Sequence, residues 1–176
     1  MAEERRIIWD DEDKEIYADL RSRDGPLKKL DNSELFAIAL LLGKKDGNRT
    51  EFGKGRHSGV RGNTIDATNV RYLMKAIAVE EEGKIEAIYE NCYKTEKDLE
   101  NESNELPFLC SRFGECHFRK KPKFDEGIKC HRYFNICEEY AKTGVKILRD
   151  KYDELGDEIL DEMEFELLEF IDDNFK

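Results

Sequence analysis

Proline and glycine are scarce, with three and twelve in 176 residues. So few chain-reversing residues argue against a many-turned β-sandwich and for helices. Long apolar runs are missing as well. The longest, Leu35 to Leu42, is far short of the roughly twenty residues that a membrane helix needs, so no membrane association is expected. Met1-Ala2-Glu3-Glu4-Arg5-Arg6 lacks the apolar core of a signal peptide. That points to the cytoplasm, where the five cysteines are expected as thiols or metal ligands rather than disulfides. Histidine occurs only at His57, His117 and His131, and the Gly-x-Ser-x-Gly, His-Glu-x-x-His and Gly-Lys-Ser/Thr signatures are all absent. The sequence therefore carries none of the motifs of serine hydrolases, zinc proteases or P-loop enzymes.

What remains is a chain with 40% charged and 39% apolar residues and a formal net charge of −11. Its apolar residues are clustered, and a chain of this length removes roughly 70% of its unfolded surface from water on folding. The patterning predicts a mainly α fold. It is a compact helical domain with a basic glycine-rich loop or hairpin and a C-terminal acidic amphipathic helix. Residues 1–149 form the helical core with basic loops at 44–61 and 110–129. Residues 150–176 form the acidic helix, packed on the same domain.

Helix starts are legible. Asp10 or Asp11 can cap a helix carrying Ile16, Tyr17 and Leu20, with Trp9 before the cap as a hydrophobic staple, and Gly25-Pro26 ends it. Asp31 with Glu34 is a capping-box pattern ahead of Leu35–Leu42, which is apolar all round and so central to the core, with Gly43 as the expected C-cap. Asp66 or Thr68 can open a helix with Val70, Leu73, Met74, Ile77 and Ala78, and a short helix with Ile85, Ile88 and Tyr89 can follow. A long helix from Lys129 or Cys130 turns Tyr133, Phe134, Ile136, Cys137, Tyr140 and Ala141 inward, with Gly144 as a bend. Leu160, Met163, Leu167 and Phe170 then form one stripe. Around it, residues 150–176 hold twelve acids against two lysines, a net of −10.

Two segments could carry chemistry. Residues 44–61 hold six basic residues against two acids, and four glycines. Such a loop can offer amides and cations to phosphates, or be an ordinary solvated loop. Toward nucleic acid the counter-ions would be Lys44, Lys45, Arg49, Lys54, Arg56 and Arg61. The second segment holds Cys110, Cys116, Cys130 and Cys137. Thiolates bind zinc or an iron–sulfur cluster when three or four converge. Here five, thirteen and six residues intervene between successive cysteines, which matches no metal knuckle. No cofactor or metal is expected. If zinc or iron–sulfur is held, these four are the ligands. The dense C-terminal acids read as a solvated helix face rather than a carboxylate active site.

Leu35-Phe36-Ala37-Ile38-Ala39-Leu40-Leu41-Leu42-Gly43-Lys44-Lys45-Asp46-Gly47-Asn48-Arg49 runs as apolar helix, glycine, basic residues, x-Gly-x-Arg. Glu138-Glu139-Tyr140-Ala141-Lys142-Thr143-Gly144-Val145-Lys146-Ile147-Leu148 is an acidic-Tyr-Ala-x-x-Gly-x-x-x-Leu ending. Together they resemble the small accessory proteins associated with dnd gene clusters, which modify DNA by phosphorothioation or restrict unmodified DNA. The resemblance spans residues 7–148. The cysteine-bearing insert and the acidic terminal helix lie outside the pattern, and it transfers no catalytic residues. It implies a DNA-defence setting and a non-enzymatic role with a protein partner in a DNA-processing complex. The alternative reading is a small metal-dependent or nucleolytic enzyme built around the cysteine segment.

Overall fold

The computed structural model describes residues 6–61, 64–65, 68–83, 91–93, 109–110, 114–115, 128–129 and 132–174. The described chain is mainly helical. It divides into two compact units: Met1–Glu3 with Met74–Ile136, and Glu4–Leu73 with Cys137–Lys176.

The second unit opens with strand β1 (Ile8–Trp9) and helix α1 (Asp11–Ser22). Asp10 is the N-cap. Its carboxylate accepts from the Asp13 amide at 2.9 Å, and Asp13 accepts in return from the Asp10 amide at 3.4 Å. This reciprocal box satisfies two donors that a helix start leaves orphaned. Ile16, Tyr17 and Leu20 are buried, as their spacing predicts. Trp9 is not a staple onto the first turn. It stacks on Tyr17 with ring centroids 4.2 Å apart and planes 11° apart, because Tyr17 offers an aromatic face where the fourth helical residue, Lys14, is exposed. A 3-10 turn at Pro26–Lys29 then leads to helix α2 (Asn32–Asp46). Its capping box is the predicted one: Asp31 accepts from the Ser33 and Glu34 amides while Glu34 accepts from the Asp31 amide.

The end of α2 departs from expectation. The helix passes through Gly43, and Gly47 is the cap, at φ +81°. A left-handed residue is needed only there, and its amide closes onto the Gly43 and Lys44 carbonyls. Gly43 serves a different end. A Cβ on it would overlap the Tyr140 carbonyl of helix α4 (Arg132–Leu155), and a Cβ on Gly144 would overlap the Ala39 carbonyl of α2. Each glycine thus admits the other helix's backbone. Gly144 is this crossing point and not a break, since α4 continues to Leu155. Leu35, Phe36, Ala39, Leu40, Leu41 and Leu42 are buried beside the crossing. Leu40→Ala is expected to cost about 2–5 kcal/mol in urea unfolding. A change under about half a kcal/mol would take this helix out of the core.

A positive-φ glycine, Gly156, and a 3-10 turn at Gly156–Glu158 separate α4 from helix α5 (Ile159–Asn174). The acidic tail therefore starts as the last turns of α4 rather than as one helix from residue 150. On α5, Ile159, Met163 and Leu167 are buried, while Leu160 and Phe170 are half-buried. The buried stripe is thus set one residue earlier than the predicted start at Leu160.

In the first unit, α3 (Val70–Glu82) contributes buried Met74, Ile77 and Ala78, and the start of α4 contributes Tyr133, Phe134 and Ile136. The Lys75 ammonium lies 6.0 Å from the Tyr133 ring centroid. Strands β3 (Asn91–Tyr93) and β6 (Ile128–Lys129) pair antiparallel, as do β4 (Leu109–Cys110) and β5 (Gly114–Glu115). The predicted helix around Ile85–Tyr89 lies outside the described residues.

Candidate functional site

The basic glycine-rich segment is built onto the start of α1. After Gly47 the chain meets α4, where the Thr50 amide donates to the Glu139 carbonyl at 3.2 Å and the Thr50 and Thr143 hydroxyls lie 2.8 Å apart. The Gly53 amide then donates to Asp10 Oδ2 at 2.7 Å, and the Lys54 carbonyl accepts from the Asp11 amide at 2.9 Å. Strand β2 (His57–Ser58) pairs with β1 in the register Ile8↔Ser58 and Trp9↔His57. The ribbon continues through Gly59, whose amide donates to the Ile7 carbonyl, and Val60, whose carbonyl accepts from the Ile7 amide. The segment is thus one edge of a ribbon with the N-terminal strand, and we call residues 51–61 the strap. Its glycines fit this path. A Cβ at Gly53 would meet Asp10, and one at Gly59 would meet the Trp9 indole.

Six cations were expected to act together, and the structure divides them. Lys45 donates to Glu166 of α5 at 2.5 Å, and Lys151 donates to the same carboxylate at 2.9 Å. Burial favours the neutral Glu166, but these two lysines hold it below the usual carboxylate range. Arg49 lies 3.8 Å from Glu139 and stands over the Tyr140 ring, 5.9 Å from its centroid. Lys44 is 5.1 Å from that centroid. These three are thus engaged by acids or by the Tyr140 ring. Lys54, Arg56 and Arg61 are exposed on the strap. Among the described residues neither Lys54 nor Arg61 pairs with a carboxylate, and Arg56 lies over the half-buried Phe52 ring, 5.8 Å from its centroid. Arg6 adds a fourth exposed cation, donating to Ser58 Oγ at 3.0 Å. His57 Nε2 sits 2.6 Å from Asp11 Oδ1.

Beneath the strap lies a charged cluster that the sequence reading missed. Lys142 of α4 is 4% exposed, and Asp10 and Asp13 are 1% and 2% exposed. The Lys142 ammonium donates to Asp10 Oδ2 at 2.6 Å, to Glu12 Oε2 at 3.1 Å and to Asp13 Oδ1 at 3.3 Å. Lys146 holds the other Glu12 oxygen at 2.8 Å. One turn earlier on α4, buried Glu138 accepts from the Ile8 amide at 2.9 Å. Burial pushes Asp10 up, but the Asp13 amide, Lys142 and the Gly53 amide together hold it below its ordinary value. Burial likewise pushes Lys142 down, and its bonds to Asp10 and Glu12 raise it overall. For Asp13 burial wins. Lys142 relieves part of that penalty and the Asp10 charge adds to it, leaving the carboxyl at about 6. A signal was available: Glu138 and Lys142 interrupt the apolar face between Phe134 and Val145 at a spacing of four. Charges set within a buried stripe have partners there.

Of the cysteines, Cys137 is fully buried, and burial followed by the Glu138 charge pushes its thiol well up. Since metals bind thiolate, that setting suits a packed thiol. Cys110 is described only as a backbone position of β4, and Cys116 and Cys130 lie outside the described residues. Among the described residues no group of three or more His, Cys, Asp and Glu is arranged to hold a metal ion, and no helix is long and apolar enough to cross a membrane. No family model, curated protein or solved structure matches the chain.

Proposed function

We propose that this chain is a non-enzymatic accessory protein of a DNA-modification or DNA-defence system of the phosphorothioation type. In this reading it meets a nucleic-acid backbone through Lys54, Arg56 and Arg61. The observation that carries the reading is the anchored strap, with three exposed cations on a backbone held at both ends by α1 and β1. A fixed row of cations loses less entropy on meeting phosphates than a loose loop does. The setting comes from the resemblance of residues 35–49 and 138–148 to dnd-associated proteins. Those two stretches cross at Gly43 and Gly144, so the resemblance falls on one structural element. A basic surface of a protein partner faces the outer side of α5, where Asp161, Glu162, Glu164 and Glu169 are exposed around Leu168.

Binding of this kind is electrostatic and blind to sequence. Fluorescence anisotropy with a short duplex at two salt concentrations tests it. Weak binding is expected, because the net charge of −11 repels a polyanion. Lys54→Ala with Arg56→Ala and Arg61→Ala should weaken it and lower the salt slope by about 2–3, at roughly 0.9 per phosphate contact. Asp161→Asn with Glu162→Gln, Glu164→Gln and Glu169→Gln brings the net charge from −11 to −7 and should strengthen low-salt binding without removing the buried stripe of α5. No binding by any form, or an unchanged slope after the strap substitutions, sinks the proposal.

A further inference from the structure

The cluster beneath the strap has more negative than positive charge in its buried part. Asp10 and Asp13 are both buried, and one buried ammonium serves them. Glu12 is half-exposed and has Lys146 as a second partner. Two carboxylates that share one cation away from water do not both ionise without cost.

The geometry shows which of them carries the proton. Asp10 accepts from the Asp13 amide at 2.9 Å, the Gly53 amide at 2.7 Å and Lys142 at 2.6 Å. Asp13 has only longer bonds, from the Asp10 amide at 3.4 Å and Lys142 at 3.3 Å. Asp10 therefore keeps its charge and Asp13 titrates. The same Asp10 oxygen that binds Lys142 also holds the Gly53 amide, so the charge state of the cluster is tied to the strap.

We propose that the Asp10–Asp13–Lys142 cluster is a proton-operated latch for the strap: one proton taken up on Asp13 below neutral pH tightens the hold of Asp10 on residues 51–61. With Asp13 neutral, the buried charges balance as one ammonium against Asp10. With Asp13 ionised, Lys142 is divided and a surplus negative charge stays buried. Opening the strap lets water reach that charge. The strap is the side of least resistance, because its hold on the cluster is the Gly53 amide, whereas α1 and α4 are packed helices.

Other ionisable groups lie on the elements around Asp13. From α1 come Asp10, Glu12 and the Tyr17 hydroxyl, which is buried without a hydrogen-bond partner among the described residues. Burial, and then the Asp13 charge, keep that phenol protonated. From α4 come Lys142, Lys146 and Glu138, the last committed to the Ile8 amide. From the strap comes His57, paired with Asp11, which makes it the necessary control.

Hydrogen exchange read by NMR at the Gly53, Gly59 and Ile7 amides of the full chain, corrected for intrinsic rates, tests the latch. The opening equilibrium is expected to rise at least about threefold between about pH 5 and pH 7.5. Within that window, the gap between 3.8 and about 6 at Asp13 caps the rise at about tenfold. Asp13→Asn should hold opening at its low-pH level and abolish the slope, while His57→Gln should keep the slope. A carbon-13 titration of the Asp13 carboxyl in the unaltered protein gives a readout that does not depend on whether Asp13→Asn folds. Titration near 6 supports the latch and titration near 4 overturns it. A slope that survives Asp13→Asn, a slope lost in His57→Gln, or no slope at all also overturns it.

Discussion

Lys142→Met is expected to lower the unfolding free energy by about 3–5 kcal/mol at neutral pH, the usual cost of removing one partner from a buried ion cluster. Methionine keeps most of the volume, so the loss is not a cavity effect. It arises because Asp10 and Asp13 are left buried with no ammonium. Adding Asp10→Asn and Asp13→Asn should recover part of the loss, since neutral amides tolerate the site better than unpaired carboxylates. Urea unfolding of the single and triple variants is the measurement. A loss under about 1 kcal/mol for Lys142→Met would mean that water already reaches the cluster.

The same cluster sets a pH dependence whose sign differs from that of most paired acids. Asp13 releases its proton near 3.8 when unfolded and at about 6 when folded. Between these values the folded state holds the proton and the unfolded state does not, so stability falls as the pH climbs through that window. Asp10, Glu12, Asp31 and Glu166 are held below their ordinary values. Their contribution is present above those ordinary values and is lost as the pH falls through the lowered ones. Maximum stability is therefore expected on the acid side of neutrality. Lys142→Met should lose less at about pH 5 than at pH 7.5, because protonation removes the unpaired charge.

Gly144→Ala is expected to destabilise by about 2–3 kcal/mol, even though alanine gains about 1 kcal/mol over glycine in a helix interior. The added methyl would overlap the Ala39 carbonyl, and backbone cannot swing aside as a side chain does. The midpoint of thermal unfolding should fall by about 6–10 °C for a chain of this size. Gly43→Ala should behave alike, through the Tyr140 carbonyl. If either variant gained about 1 kcal/mol instead, the propensity term alone would be at work and the two helices would not meet at these glycines.

The difference between what local chemistry encodes and what packing decides is visible in single residues. The sequence by itself determined the mainly helical class, the Asp31 cap with its box, an aspartate cap at Asp10 or Asp11, and the inward set Tyr133, Phe134, Ile136, Cys137, Tyr140 and Ala141. These follow from forces acting within a turn or two of the chain: capping hydrogen bonds and the 3.6-residue period of burial. Only the tertiary structure decided the rest. Gly43 reads locally as a helix end, yet it is a crossing point, because the carbonyl that a side chain would strike belongs to Tyr140, far along the chain. Asp10 reads as a cap, and it is one, but its second oxygen also holds Lys142 and Gly53. The six basic residues of 44–61 look alike in a charge count. Acids and an aromatic ring on α4 and α5 engage Lys44, Lys45 and Arg49, whereas Lys54, Arg56 and Arg61 stand exposed on the strap. A local pattern reports which residues seek burial or charge. Which distant group answers them is settled only when the chain closes on itself.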